Sequence, residues 1–320
     1  MPEYPDIVVY AERLLHVAAG QTLENVRVAH PFVLRTADPP IQSLEGLTLL
    51  GIERIGKQMV LVFTDDAFLV LHLMISGRLQ WRESGCDIPP RIGLAALDFS
   101  PGSLLITESS SKKRASLHVV RGREALEGFD RGGLEVLEAT LDGFRTALTA
   151  ENHTLKRALT DQSILSGIGN AYSDEILHRA GLSPFLQTGT MTDEQVEALY
   201  AATRDILTEW TDRLRREAGD GFPTQVKALR KDMVVHGRYG KPCPICGTEI
   251  QRIRYATRET NYCPRCQTGG KLLADRALSR LLKKDWPRTV EELEAAVSPL
   301  LRRRGPELGG AAADPTGRGA

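Results

Sequence analysis

The sequence predicts an α+β fold: an N-terminal antiparallel β-sandwich with flanking helices, an α-helical domain, and a small C-terminal ribbon gathered by four cysteines. Three observations carry this. Short runs rich in Val, Leu, Ile and Phe, broken by turn signals, fill residues 22–120. After about residue 122 the apolar positions shift to helical spacing. Cys243-Pro-Ile-Cys246 and Cys263-Pro-Arg-Cys266 then stand sixteen residues apart.

With 320 residues, 42% of them hydrophobic, the chain can bury a substantial core in more than one domain. No apolar run is long enough to span a membrane, and no basic region followed by an apolar stretch opens the sequence. The expectation is therefore a cytoplasmic, intracellular protein with no membrane partner. Net charge is zero, but residues 227–288 hold 15 Lys and Arg against 5 Asp and Glu. A basic segment on a neutral chain suits a polyanion bound on one face. An ordinary solvated surface is the plainer alternative.

Taken in order, the chain opens with Met1-Pro2-Glu3. Methionine before a small residue is normally clipped, which leaves the secondary amine of Pro2 as the terminus. Its pKa would lie near that of an α-amino group, about 7.7–8.0, so part of it is nucleophilic at neutral pH and can form a Schiff base. Glu3 beside it can move protons. Residues 5–19 read as a helix that fixes this terminus, closed by Gly20. Strands are expected at 24–29, 49–54, 59–63, 68–74, 92–99 and 104–107, with turns at Asp65-Asp66, Ser76-Gly77 and Pro101-Gly102. Lys57 falls between two of them, either a surface lysine or a cation near the Pro2 amine. His16, His30 and His72 have no partner pattern and read as structural or solvated. The polar loop Ser109-Ser-Ser-Lys112-Lys113-Arg114 offers Lys112 and Arg114 to phosphate or to a base stack.

Helices are expected at 141–149, 152–159, 171–180 and 192–217. Between the second and third lies Gly167-Ile168-Gly169-Asn170. Its glycines would let the backbone approach a ligand closely, and the next helix would offer free N–H groups to a phosphate. The cysteine spacing is that of a structural zinc site with all four positions filled by thiolates, one zinc per chain. Short strands at 249–254 and 258–262 would display Arg252, Arg254 and Arg258. Cys86 has no partner. A basic helix at 274–284, another at 290–303 and a disordered Gly, Ala and Pro-rich end complete the reading.

Together, the amino-terminal Pro-Glu, the strand-start lysine, the Gly-Ile-Gly-Asn turn and the four-cysteine ribbon resemble the formamidopyrimidine-DNA glycosylase / endonuclease VIII family over about residues 2–267. The resemblance implies a β-sandwich domain at 1–125, a helix-two-turn-helix domain at 135–235, a zinc finger at 236–270 and an extension at 271–320. It implies that Pro2 is the nucleophile, Glu3 the acid/base and Lys57 a catalytic lysine. It gives phosphate contacts to Lys156, Asn170 and Arg258. The implied activity, on damaged double-stranded DNA bound by a monomer, is base excision followed by β,δ-elimination at the abasic site. Where the family's oxidised-purine enzymes carry an aromatic wedge, this chain has Ser109–Arg114, and its Met74 is displaced by one position. Oxidised purines are therefore expected to be poor substrates. Two other readings remain open: a non-catalytic zinc-ribbon protein that binds nucleic acid, and an abasic-site lyase with little glycosylase activity. Pro2, Glu3 and Lys57 occurring together favour an enzyme, since a binder has no need of them.

Overall fold

The computed structural model describes residues 1–223, 230–255, 258–275, 279–281, 283 and 286–295. It opens with helix α1 (Tyr4–Ala18), which has Glu3 as N-cap and Pro5 in its first turn. The Glu3 N–H donates to Asp6 Oδ2 at 2.9 Å, so one of the orphan donors of the helix start is satisfied locally. Ile7, Tyr10, Leu14 and Ala18 form the buried stripe of α1.

Eight strands follow: β1 (Leu23–Val28), β2 (Leu49–Ile55), β3 (Gln58–Phe63), β4 (Ala67–His72), β5 (Gly77–Arg82), β6 (Gly93–Phe99), β7 (Gly102–Glu108) and β8 (Ser116–Arg121). They form two four-stranded antiparallel sheets, ordered β1-β6-β7-β5 and β2-β3-β4-β8. Strand β4 shows why the sheets pack as they do. Ala67, Leu69 and Leu71 enter the core between the sheets, while Phe68 and Val70 join Leu126 on the opposite face. That is the period of two that a strand imposes.

Two strands, β5 and β8, were not among the sequence expectations. Both are edge strands, and their alternating polar residues, as in Gly77-Arg78-Leu79-Gln80-Trp81-Arg82, give a weaker apolar signal. Strand β4 also stops at His72 rather than reaching Met74. Met74 has a left-handed φ of 52°, and the Gly77 N–H closes the turn on the Leu73 carbonyl.

The second half is helical: α2 (Leu141–Thr149), α3 (Leu155–Thr160), α4 (Asn170–Arg179) and α5 (Asp193–Ala218). Helix α5 starts at a reciprocal cap between Thr192 and Gln195. The expected start of α3 at 152 moves to Leu155, because Asn152 and His153 instead bind Gly189 and Thr188. Phe144, Leu159, Ile168, Tyr172, Ile176 and Trp210 belong to a core separate from that of the sandwich. Helix α1 packs on α5, with Glu12 and Arg215 paired on the surface. The hairpin β9 (Gln251–Arg254) and β10 (Glu259–Tyr262) precedes the short helix α6 (Pro264–Thr268). Beyond it, residues 290–295 are helical. Of the basic helix expected at 274–284, residues 279–281 are helical and 274–275 are not; its residues 276–278, 282 and 284, the rest of the one at 290–303, and the chain end lie outside the described residues. No helix among the described residues is long and apolar enough to cross a membrane.

Candidate functional site

The site lies where the chain's start meets helix α4. Glu3 is 2% exposed, and its carboxylate accepts N–H bonds from Gly169 at 2.7 Å, Ala171 at 2.9 Å and Tyr172 at 3.2 Å. These are the unsatisfied donors of the α4 N-terminus, where the helix dipole also favours an anion. The N–H groups expected to bind a phosphate are therefore spent on Glu3. The glycines allow close approach, as the sequence suggested, but to the chain's own beginning. The Tyr4 N–H donates to the Gly167 carbonyl at 2.9 Å. A Cβ on Gly169 would come 2.4 Å from the Glu3 carboxyl carbon. Gly167, with φ +80°, turns in the left-handed region, and Gln162 braces it by accepting the Gly167 N–H at 3.0 Å.

Lys57 sits in the turn between β2 and β3 and is buried. Arg54 fixes that turn: its guanidinium donates to the Gly56 carbonyl at 2.7 Å, pairs with Glu135 and lies over the Tyr4 ring. Burial lowers the Lys57 ammonium to about 8; Arg258, Lys156 and Arg131 act in the same direction and Glu3 opposes them. The terminal amine, on Met1, is also held below its ordinary value. Burial is the main cause, opposed by Glu3 and reinforced by Arg78 and Lys57.

Helix α4 carries most of the remaining polar groups. Lys156 does not face open space: its ammonium donates to the Asn170 carbonyl at 2.8 Å, Ser173 Oγ at 2.7 Å and Asp174 Oδ1 at 2.6 Å. An ammonium has three donors, so as arranged none is left for a phosphate. Asp174 is fully buried; its Oδ2 lies 2.8 Å from His236 Nδ1 and accepts the Asn261 N–H at 3.2 Å. Glu175 accepts the N–H groups of Val234, Val235 and His236. Burial raises the Glu175 carboxyl above its ordinary value despite those bonds. Asn170 Nδ2 donates to the Glu259 carbonyl at 2.9 Å.

These elements enclose a cavity of about 740 Å³ lined by Met1, Glu3, Lys57, Asn170, Arg114 and Arg258, among others. The site residues expected from sequence therefore divide. Glu3, Lys57, Asn170, Arg114 and Arg258 meet at one cavity, with Pro2 buried between Met1 and Glu3. Lys156 lies behind α4. Lys112 is exposed on the 109–114 loop, outside the lining. That loop is shaped by the buried Glu108 carboxylate, which accepts the N–H groups of Arg114 and Ala115. Met74 and Ile75 line the cavity as well, so the displaced methionine still reaches it. In the ribbon hairpin, Arg252 lies over the Tyr239 ring and faces Glu259, which leaves Arg258 as the ribbon arginine on the cavity among the described residues.

Sequence reasoning missed several lining residues, His72, His118, Arg131 and His236 among them. His72 pairs with Gln58 across β3 and β4, next to Lys57. Burial, then the charges of Lys57 and Arg131, lower it to about 4, so it is neutral at ordinary pH. Its position at the end of a strand leading into a turn is the signal that pattern reading passed over.

A second centre lies in the ribbon. Cys246 and Cys263 sulfurs are 3.4 Å apart, and those of Cys243 and Cys266 3.9 Å. Zinc–thiolate bonds of about 2.3 Å in a tetrahedron separate the sulfurs by about 3.8 Å, so the four cysteines fit a structural zinc. Burial pushes the Cys263 thiol up to about 11 and Cys266 above the thiol range. A divalent cation reverses this by holding the thiolates. Cys86 lies apart and is unpaired.

Comparisons agree with this geometry. The family model of the formamidopyrimidine-DNA glycosylase N-terminal domain matches residues 1–118, that of its H2TH domain residues 134–214, and that of a zinc finger found in FPG and IleRS residues 240–269. The formamidopyrimidine-DNA glycosylase of Heliobacterium modesticaldum is 32% identical over 277 residues, covering 83% of this chain and 100% of that protein. An uncharacterised formamidopyrimidine-DNA glycosylase-like protein of Mycobacterium tuberculosis is 42% identical over 151 residues, 47% of this chain and 94% of that one. A solved complex of Lactococcus lactis Fpg with DNA containing an oxidised pyrimidine aligns with a TM-score of 0.73 at 25% identity, over 83% of this chain and 100% of that chain.

Proposed function

This chain belongs to the formamidopyrimidine-DNA glycosylase family, and we propose that it acts as a base-excision DNA glycosylase with AP lyase activity whose nucleophile is the amine of Pro2. The observation that carries this is the chain terminus itself, placed in the cavity beside Glu3 and Lys57. Removal of Met1 frees the Pro2 secondary amine. In that setting burial, reinforced by the Arg78 and Lys57 charges and opposed by Glu3 and Asp6, holds the terminal amine of Met1 below its ordinary value, and the same surroundings favour the neutral, nucleophilic form of the Pro2 amine.

The damaged nucleotide is flipped into the cavity, at least cost where its base is already unpaired. The Pro2 nitrogen forms a bond to C1′ as the glycosidic bond breaks, and the base leaves with that electron pair. Opening of the sugar ring, with a proton delivered to its oxygen, gives an iminium. The iminium acidifies the 2′ hydrogen; loss of that proton expels the 3′ phosphate, and a second elimination expels the 5′ phosphate. Glu3 carries the proton transfer in this reading, supported by its position among the cavity-lining residues. Its two oxygens offer about four acceptor positions and three are taken by N–H groups at the start of α4, which leaves capacity for one more partner. Lys57, Asn170, Arg114 and Arg258 bind phosphates around the flipped nucleotide, and Lys156 keeps α4 in place by binding Ser173 and Asp174. Zinc, when bound, holds the ribbon that presents Arg258.

Borohydride reduction with DNA carrying one abasic site tests this reading. The expected result is a covalent protein–DNA complex that maps to Pro2 and is lost in Pro2→Gly. An adduct on Lys57 that persists in Pro2→Gly would refute it. The same reading places oxidised purines among the poorer substrates. The loop at 109–114 brings Arg114 to the cavity but contains no aromatic residue to replace a stacked purine, and stacking is worth roughly 1–3 kcal/mol per base. Nicking of matched duplexes should be faster at an oxidised pyrimidine or an abasic site than at 8-oxoguanine.

A further inference from the structure

We propose that His178 is a positioning residue of the metal centre, whose Nε2–H donates a hydrogen bond to the Cys243 thiolate. His178 lies in the last turn of α4 and is 5% exposed. Its Nε2 stands 3.4 Å from Cys243 Sγ, a hydrogen-bond distance for a sulfur acceptor. The donor atoms of His178, Cys243, Cys263 and Cys266 all lie within 4.8 Å of one another.

Two roles are open to an imidazole there, and the surroundings favour the outer one. The Cys246–Cys263 and Cys243–Cys266 sulfur pairs stand at 3.4 and 3.9 Å, near the separation a tetrahedral zinc imposes, and structural zinc is four-coordinate, so four thiolates leave no position for a nitrogen ligand. Four thiolates around a divalent cation carry surplus negative charge, and nearby N–H donors offset it. Cys246 is exposed and has the Thr248 hydroxyl and N–H as donors. Cys243 is 2% exposed, which shuts out solvent donors. Its donor must come from the protein, and the His178 ring supplies one.

The position on α4 gives the bond a further consequence. Asn170, Asp174 and His178 are spaced four apart on one helix face. Asn170 binds Glu259, Asp174 binds Asn261, and His178 meets Cys243. His178 therefore completes a seam between the ribbon and the helix whose first turn holds Glu3.

The test uses the full-length zinc-loaded protein and follows metal retention, so it does not depend on the lyase reading. His178→Phe keeps a ring and removes the donor; His178→Gln keeps an N–H donor. In competition with a zinc chelator, His178→Phe is expected to hold zinc about 10–100-fold more weakly than wild type, with His178→Gln within about threefold. Equal retention by His178→Phe and wild type would overturn the proposal. So would a Gln variant as weak as the Phe variant, because packing and not the donor would then be responsible. Nitrogen-15 spectroscopy of the native protein reads the tautomer without any substitution: a proton on Nε2 supports the assignment, and a bare or metal-bound Nε2 rejects it.

Discussion

The sandwich and the ribbon are held together by opposite means. Between its sheets the sandwich buries Phe63, Phe99, Leu69, Leu97 and many further apolar side chains, with Tyr10 and Leu14 of α1 added from one end. The ribbon's buried cluster consists of Val235, Cys243, Ile250 and Cys263, two of which belong to the four-cysteine set that fits zinc. A cluster of that size cannot offset the entropy of ordering a hairpin. In the ribbon the ion does the work that apolar burial does in the sandwich. The cavity draws on both regions, taking Lys57 from the sandwich and Arg258 from the ribbon.

Loss of zinc should separate the two regions most sharply. Structural zinc is worth roughly 10–16 kcal/mol in small fingers. Cys263→Ser or prolonged chelation should therefore dismantle the ribbon and abolish tight DNA binding, while calorimetry still finds the melting transition of the sandwich and helices. A single transition that moves as a whole with the metal would show that the two regions are not independent. The converse change is Phe63→Ala, which should destabilise the sandwich by about 3–5 kcal/mol and leave zinc content at one per chain. Coupled loss of metal would again break the comparison.

Gly169→Ala acts at the junction. The added Cβ falls on the Glu3 carboxyl group, and overpacking of this kind costs about 1–3 kcal/mol. Nicking of abasic DNA should fall by much more than the lost folded fraction explains, with zinc retained. Activity that simply tracks the folded fraction would remove Glu3 from the chemistry.

The smallest effect concerns pH. The folded pKa of Lys57 is about 8, below its ordinary value, so the cation discharges as pH rises through 8. The free-enzyme limb of kcat/KM should then decline near pH 8, and Lys57→Arg should move that decline to much higher pH. For stability the sign is opposite. Folding penalises the charged lysine below pH 8, and the penalty is relieved between pH 8 and the unfolded pKa. Lys57→Met should therefore stabilise the protein at neutral pH while impairing it as an enzyme. Chemical denaturation at pH 7 and pH 9.5 measures that gap.

Much of this was legible in the sequence, because the relevant signals are local. Helix α1 announces itself by apolar spacing and a Gly stop, six of the eight sandwich strands by apolar runs, and the zinc site by two short Cys pairs. Strands β5 and β8 were missed because polar residues interrupt their apolar runs, as in Arg78, Gln80 and Arg82 of β5, and their place is set by the neighbours they pair with.

The rest depends on tertiary structure. Glu3 and Gly169 are 166 positions apart, and nothing near either residue says that the N–H groups of α4 receive a carboxylate and not a phosphate. Lys156 looks free in the sequence because Ser173 and Asp174 approach it only once α3 and α4 pack together. His72, His236 and His178 carry no pattern, yet packing brings them to the cavity, to Asp174 and to Cys243. Periodicity and ligand spacing are properties of one segment and can be read along the chain. Which donor meets which acceptor across segments is decided when desolvated polar groups must find partners, and that choice is made only in the folded protein.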